Sequence, residues 1–289
     1  MLGVASALSF AILMGAASIF SRRGMETGSF YALLVTSLAI GAPVFLAVTF
    51  ATTGFAATPW LGLVYAGASA VVGSVLGRSL YFIGIQYLGP GKSLSINSTS
   101  PLYAALLAWV VLGERLTVLV VGGTLAIVAG IVVLSKDVRR QTDQADHSAW
   151  VALFPLVAAV FAAAAVILRK LALTAGIEPI EAAAVNFVVA LVVVTPPLVT
   201  PWRERLLTAD RSAIRNYIFA SCLMTGAFLF YFVGLEITDA SIFFPLIQTQ
   251  PLMAVLLSAI FLRELEVITR WTALGSAIIV SGAALVVIG

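Results

Sequence analysis

The feature that most constrains this chain is a succession of apolar runs, each long enough to cross a membrane. A helix needs about 20 apolar residues to span the ~30 Å hydrocarbon core of a bilayer. Turn-forming clusters such as Gly89-Pro90-Gly91 and Pro196-Pro197 separate some of the runs. The runs cover residues 2–20, 30–50, 60–88, 93–112, 117–134, 149–168, 180–200, 217–236, 242–262 and 271–288. The sequence therefore predicts an all-α membrane protein with ten transmembrane helices.

The composition excludes several other classes of protein. Charged residues make up only 10% of the chain, against about 25% in soluble domains, so most of the surface must face lipid. The runs leave no room for a soluble domain that binds nucleic acid, and the net charge of +3 suits anionic lipid headgroups. With one cysteine, Cys222, and one histidine, His147, we expect no disulfide, metal site or cofactor. We expect the chain to lie in the cytoplasmic membrane of a prokaryote.

The two halves of the chain repeat each other. A shift of 150 places residues 81–114 on residues 231–264 and makes 11 of the 34 positions identical. Apolar bias alone can align leucines, but it cannot align the other pairs. These include Tyr81/Tyr231, Gly84/Gly234, Thr99/Thr249, Pro101/Pro251 and Glu114/Glu264, and further on Gly123 and Gly130 match Gly275 and Gly282. The sequence predicts a first five-helix repeat over residues 1–134, a linker over 135–148 and a second repeat over 149–289.

An odd number of helices in each repeat determines how the repeats are related. The second repeat must enter the membrane from the opposite side, so the pseudo-two-fold axis lies in the membrane plane. Inverted repeats of this 5+5 kind are typical of secondary transporters, which hold the substrate near the midplane between the repeats. We therefore expect alternating access and a small-molecule partner. Uniport, exchange and a homodimer all stay open.

One segment of the sequence resembles a repeat of a known family. Pro101-Leu102-Tyr103-Ala104-Ala105-Leu106-Leu107-Ala108, followed by Leu112-Gly113-Glu114-Arg115-Leu116-Thr117 and a glycine-rich helix, is similar to the EamA repeat. A second copy runs from Pro251 through Glu264 to Gly282. The chain thus resembles an EamA-type member of the drug/metabolite transporter superfamily over essentially its full length. The resemblance implies movement of a metabolite such as an amino acid, organic anion or nucleoside, without selecting one.

Arg78 is the outstanding polar residue because it lies within an apolar run. An intramembrane charge costs several kcal/mol and usually faces a wet cavity or a partner. The run over residues 60–88 rises about 42 Å as a helix, more than the ~30 Å core. If the excess lies at the Trp60 end, Arg78 is near the midplane and offers a fixed cation to a carboxylate or phosphate. In the alternative interpretation, the side chain extends to an interface.

Polar residues interrupt the fourth and ninth runs. Pro101 removes a backbone donor and frees the carbonyl of Asn97, so Asn97 and Thr99 can present polar groups there. Gln248 and Gln250 precede Pro251 in the same way. Interrupted helices are the best sequence indication of a transporter site, so these four residues are candidates for substrate binding. The alternative is that they only link neighbouring helices.

Two tyrosines complete the candidate substrate-binding residues. Tyr81 and Tyr231 lie one helical turn from Arg78 and Phe228 on the same faces. A phenol suits a cavity that binds apolar and polar parts of a ligand, or equally an interfacial belt.

Other polar residues have structural interpretations. We interpret Glu114 and Glu264 as structural residues at helix ends, before a threonine that can cap the next helix. The basic pair Arg169-Lys170 is interpreted as marking an interface.

Rival functions from other classes have little support in the sequence. Hydrolysis inside a membrane needs a nucleophile–base pair, two aspartates or a metal-binding histidine motif. His147 lies in the linker, and no aspartate falls in the middle of a run. We therefore expect that the protein is not an enzyme. A membrane scaffold that transports nothing stays an alternative.

The orientation of the chain is predicted in two opposite ways. Loops after the odd-numbered helices hold twelve basic residues, and loops on the side of the termini hold three, Arg115, Arg169 and Lys170. The positive-inside rule then puts both termini outside the cytoplasm. The family resemblance implies termini inside.

Overall fold

The computed structural model describes residues 2–52, 54–55, 58–88, 90–140, 149–196, 206–261 and 270–289. The first repeat contains α1 (Leu2–Gly24), α2 (Phe30–Thr52), α3 (Trp60–Ser69, a π-helical segment Ala70–Gly77, and Arg78–Leu88), α4a (Pro90–Asn97), α4b (Ser100–Leu107, continued by a π-helical segment Ala108–Leu112) and α5 (Val118–Arg140). After a short 3₁₀ turn (Ala149–Ala152), the second repeat contains α6 (Leu153–Thr174), α7 (Pro179–Val194), α8 (Arg211–Glu236), α9a (Ala240–Ile247), α9b (Gln250–Phe261) and α10 (Arg270–Ile288).

The helices have the length and apolarity that a membrane requires. Within the described residues, nine helical spans can cross a bilayer by length and composition, and α7 is a shorter apolar helix of 16 residues. No strand occurs in those ranges. The prediction of an all-α membrane protein is confirmed: five of the nine described spans fall in the first half, and the other four fall in the second half together with α7.

Two helix ends differ from the predicted ones for identifiable reasons. α7 ends at Val194 rather than near residue 200, because Pro196 disfavours helical geometry at the residue before it and supplies no backbone donor. α6 does not end at Leu168 but continues to Thr174. Both residues of the basic pair therefore lie inside the helix. The interpretation of Arg169 as an interface marker is corrected because its side chain is buried, whereas Lys170 reaches the carbonyls of the α8–α9a turn.

The fourth and ninth helices are broken at equivalent positions. α4a ends at Asn97 and α4b begins at Ser100, while α9a ends at Ile247 and α9b begins at Gln250, so the breaks are related by the shift of 150. A threonine hydroxyl donates to a backbone carbonyl at each break: Thr99 Oγ1 donates to Ile96 O at 2.7 Å and Thr249 Oγ1 donates to Leu246 O at 2.8 Å.

Glycines bring α5 and α10 into backbone contact. A Cβ added to Gly123 would lie 2.6 Å from Gly282 O, and one added to Gly130 would lie 2.9 Å from Gly275 O. The sequence alignment equates Gly123 with Gly275 and Gly130 with Gly282. Gly123 thus contacts Gly282, the equivalent of Gly130, and Gly130 contacts Gly275, the equivalent of Gly123. Reciprocal contacts of this kind are the pattern of an isologous two-fold interface. These glycines are therefore helix-packing positions.

Each repeat packs its first helix against the other repeat. α1 contacts α8, α9a and α9b, and α6 contacts α3, α4a and α4b. Equivalent glycines take part in these contacts, since Gly84 lies against Pro155 and Gly234 lies against Ser6. With α1 and α6 packed in this way, α2 and α3 of the first repeat face α7 and α8 of the second.

Candidate functional site

A narrow cavity of about 10 Å³ lies where α2 and α3 face α7 and α8, which is room for about one water molecule. Most of its lining consists of three pairs of positions related by the shift of 150. These are Ser37 and Phe187, Ser74 and Met224, and Arg78 and Phe228. The cavity therefore lies across the pseudo-two-fold relation between the repeats, where inverted-repeat transporters hold their substrates.

The two walls of the cavity differ in chemistry although their positions are equivalent. The first repeat contributes two hydroxyls and a guanidinium, from Ser37, Ser74 and Arg78. The second contributes two phenyl rings and a thioether at the matching positions. Such a cavity suits a ligand with an anionic group on one side and an apolar body on the other.

A chain of hydrogen bonds joins the two walls. Asn186 Nδ2 donates to Ser69 Oγ at 2.7 Å, and Ser74 Oγ donates to Asn186 Oδ1 at 3.2 Å. Arg169 Nη2 in turn donates to Ser74 Oγ at 3.3 Å. All four side chains are buried, so the network fixes the rotamers of the polar residues around the cavity.

Arg169 is a functional candidate that the sequence analysis missed. Its side chain is 8% exposed and lies behind Ser74 and Phe228, which both line the cavity. Three rings surround the guanidinium, with Cζ 5.0 Å from the centroid of Tyr231 and 5.9 Å from those of Phe228 and Phe232. Cation–π contacts contribute about 0.5–2 kcal/mol each, and Arg169 Nε has no hydrogen-bond partner among the described residues.

Arg78 is the predicted candidate that the structure places in the cavity. It begins the last segment of α3, directly after the π-helical segment Ala70–Gly77. Insertions of this kind are frequent at functional sites because they change which side chains share a helix face. Arg78 makes no ion pair within the described ranges, and the nearest charge acting on it is that of Arg169.

The tyrosines differ in burial. Tyr231 is 2% exposed and packs against Phe10 and Phe243 as well as beside Arg169. That environment rules out a position in an interfacial aromatic belt. The Tyr231 hydroxyl has no hydrogen bond of normal geometry in the part of the chain that the structure describes. Tyr81 is half-buried next to Phe82.

The candidates at the helix breaks lie apart from the lining of this cavity. Gln248 Nε2 donates to Ser100 Oγ at 3.0 Å, so the two breaks contact each other across the repeats. Asn97, Thr99 and Gln250 are half-buried and do not line the cavity around Arg78. Their part in substrate binding stays a prediction.

Of the two glutamates interpreted as structural residues, the structure describes Glu114. Glu114 follows α4b and accepts hydrogen bonds from Ala240 N and Ser241 N, both at 2.8 Å. Thr117 caps α5 as expected, accepting a hydrogen bond from Val120 N at 3.1 Å. Glu264 lies outside the described residues.

The described carboxylates are not arranged for metal binding or acid–base chemistry at the cavity. No group of three or more histidine, cysteine or acidic side chains that could hold a metal occurs among the described residues. Glu181 is buried but accepts a hydrogen bond from Thr58 Oγ1 at 2.8 Å at the start of α7.

Comparisons with known proteins agree with this architecture. The sequence model of the EamA-like transporter family matches residues 1–136 and 149–288. A solved structure described only as "Crystal structure of protein" is similar, with a TM-score of 0.78, 19% identity and coverage of 98% of each chain. That likeness shows the fold. No curated protein matches the sequence.

Proposed function

Because the chain belongs to the EamA-like transporter family, we propose that it is a secondary carrier of a small organic anion with an apolar body. The substrate binds between the two repeats and is released on the other side of the membrane by alternating access. Arg78 binds the anionic group, and the aromatic wall of α7 and α8 holds the apolar part.

The observation that carries this proposal is the pairing of Arg78 with Phe228 across the cavity. The two residues occupy equivalent positions of the inverted repeats. When inverted repeats exchange their conformations, a site built from equivalent positions stays in place while the access to it changes sides. Because Arg78 binds the anionic group and Phe228 contacts the apolar part, an asymmetric ligand keeps the same orientation whichever side of the membrane the site is open to.

The described charges support an anionic rather than a cationic substrate. Arg78 and Arg169 both lie at the cavity, and no described carboxylate lines it. A cationic substrate would enter against both charges. The arrangement also favours a carrier over a scaffold, since a scaffold has no need for two costly intramembrane charges.

Uptake by reconstituted protein tests the proposal. Liposomes containing the full chain are supplied with labelled aliphatic and aromatic carboxylates, amino acids, phosphate esters and nucleosides, with protein-free liposomes as the blank. Saturable uptake of at least one organic anion is expected. Arg78→Gln should abolish it, and Arg78→Lys should retain part of it because the charge is kept.

Arg215→Gln provides a matched control, because it removes one exposed positive charge at the edge of α8. It should transport like the wild type. Wild-type uptake by the Arg78→Gln variant would remove Arg78 from the site, and an absence of uptake for every compound would favour the scaffold.

A further inference from the structure

The second guanidinium at the cavity, that of Arg169, has no part in the function proposed so far. It donates to Ser74 Oγ, and Ser74 lines the cavity together with Arg78. The two guanidiniums therefore converge on one side of the cavity, and they repel each other.

The charges of the two arginines are not balanced by any carboxylate whose side chain the structure describes. Each of those carboxylates lies at a helix end. Glu26 follows α1, Glu114 caps α9a, Glu178 and Glu181 begin α7, Asp210 caps α8, and Glu236 and Asp239 flank the α8–α9a turn beside Lys170. What surrounds Arg169 is neutral: one hydroxyl and three aromatic rings.

We propose that the transported substrate is a dianion, whose two negative charges are bound by Arg78 and Arg169 together. The inference rests on the proposed function and specifies the substrate class. A monoanion would leave one of two neighbouring guanidiniums uncompensated in a low-dielectric site, where an unpaired charge is costly. A dianion neutralises both and removes their mutual repulsion.

Two chemical classes carry such a pair of charges on a small apolar body, dicarboxylates and phosphate monoesters. Arginine binds both through planar, two-point hydrogen bonding. Arg169 has a buried Nε without a partner, and the Tyr231 hydroxyl lies beside Arg169 with no hydrogen bond of normal geometry within the described ranges. These donors are available to the second anionic group once the substrate has displaced the Ser74 contact.

Matched ligand pairs test the inference. Thermal unfolding of the detergent-purified full chain is followed at pH 8 and constant ionic strength with phenyl phosphate against benzenesulfonate, and with succinate against succinamate. Phenyl phosphate and succinate are dianions at this pH, and their counterparts are monoanions of similar shape. Since a ligand that binds the folded state raises its apparent stability, at least one dianion should act at a concentration about tenfold lower than its counterpart. The pair that responds distinguishes a phosphate ester from a dicarboxylate.

Variants assign the preference to Arg169. Arg169→Gln should remove the preference for the dianion, because the affinity for the dianion should fall about tenfold further than that for the monoanion. Arg169→Lys should keep most of the preference, and Arg215→Gln should keep all of it. If Arg169→Gln does not fold, the wild-type ratio and the lysine variant still decide the question.

Three results would overturn the dianion assignment. They are equal affinities within both pairs, no stabilisation by either dianion, and an Arg169→Gln variant that loses monoanion and dianion binding in parallel. Uptake of monoanions alone by proteoliposomes would overturn it too, while leaving anion transport by Arg78 intact. Failure of the proposed function itself has a different signature, the absence of uptake for every anion tested.

Discussion

The carboxylate of Glu114 accepts a hydrogen bond from Ala240 N at 2.8 Å and thereby caps a helix of the opposite repeat. The second carboxylate oxygen accepts from Ser241 N. Beside this cap, Lys170 Nζ donates to the carbonyl oxygens of Leu235 and Thr238 at 2.7 and 2.8 Å. One cluster thus joins the end of α4b to α6, α8 and α9a at one edge of the bundle.

Removal of the Glu114 carboxylate should destabilise the fold. A lost N-terminal cap and its favourable charge at the helix dipole together cost about 1–2 kcal/mol. Glu114→Ala should lower the melting temperature of the purified protein, and Glu114→Gln should lower it less because one acceptor remains. Glu26→Ala serves as the control at an exposed position. Equal stability of Glu114→Ala and the wild type would show that the cap contributes nothing.

Adjacent glycines in α5 should respond in opposite directions to alanine. The Cβ of Gly123→Ala would meet Gly282 O at 2.6 Å and Val286 N at 2.8 Å, so α5 and α10 must separate at a cost of about 1–3 kcal/mol. Gly122→Ala meets no atom within 4 Å and gains about 0.5–1 kcal/mol of helix propensity. Thermal unfolding of both variants measures the difference. If both were stabilising, the close contact between the repeats would be wrong.

Features with a strong local signal could be predicted from the sequence. The membrane helices follow from the length of the apolar runs, and the inverted repeat follows from the shift of 150. Arg78 could be identified as a candidate because a charged side chain inside an apolar run is energetically costly and usually faces a cavity or a partner. The breaks in the fourth and ninth helices were predicted from Pro101 and Pro251, which restrict the backbone before them.

The rest of the site depends on which helix faces meet, and that is a property of tertiary packing. Phe187, Phe228 and Met224 are apolar residues among many, so nothing in the sequence separates them from lipid-facing positions. Arg169 did have a signal. Leu171-Ala172-Leu173 continue the apolar pattern after the basic pair, which places Arg169 inside the helix rather than at its end. Asn186 is likewise a single amide in an apolar helix.

Asp210 should make the stability of the fold sensitive to acid. Its carboxylate accepts hydrogen bonds from Ala213 N at 2.7 Å and from Thr27 Oγ1 at 2.9 Å, and these bonds, first of all the one from the Ala213 backbone, lower the pKa of Asp210 below its ordinary value. The unfolded chain therefore binds this proton at a higher pH than the folded one. The stabilisation is present above about pH 4 and is lost as the pH falls further, through the lowered pKa.

Asp210→Asn isolates this contribution. The variant should be less stable than the wild type at neutral pH, and the difference should shrink when the pH is lowered from about 5 to 3, because the wild type alone loses a charged cap. Melting temperatures of both proteins across that range provide the measurement. A difference that does not change with pH would mean that the carboxylate is not more acidic in the folded state.

The helix breaks should be accessible to water if they contribute to the transport pathway. Cysteine is introduced at Asn97, Thr99, Gln248 or Gln250 in a Cys222→Ala background, and membranes are treated with a small impermeant thiol reagent. Labelling of at least one position in each break is expected, because the freed backbone groups need polar surroundings. Cysteine at Ala104, which is fully buried, should stay unlabelled. Four unreactive positions would indicate dry packing between the breaks.

The topology in the membrane should follow the distribution of basic residues. Twelve of them lie in the loops after the odd-numbered helices or in the adjoining helix ends, and Arg169, which was counted on the other side, is buried inside α6. Only Arg115 and Lys170 then remain on the side of the termini, so the asymmetry is larger than the loop count predicted. The positive-inside rule places the richer side in the cytoplasm and Gly289 outside it. A reporter enzyme that is active only outside the cytoplasm, fused after Gly289, should therefore be active, with the same reporter inserted in the linker at residues 141–148 as the inactive control. The reverse pattern would show that the family's usual orientation prevails over the charge distribution.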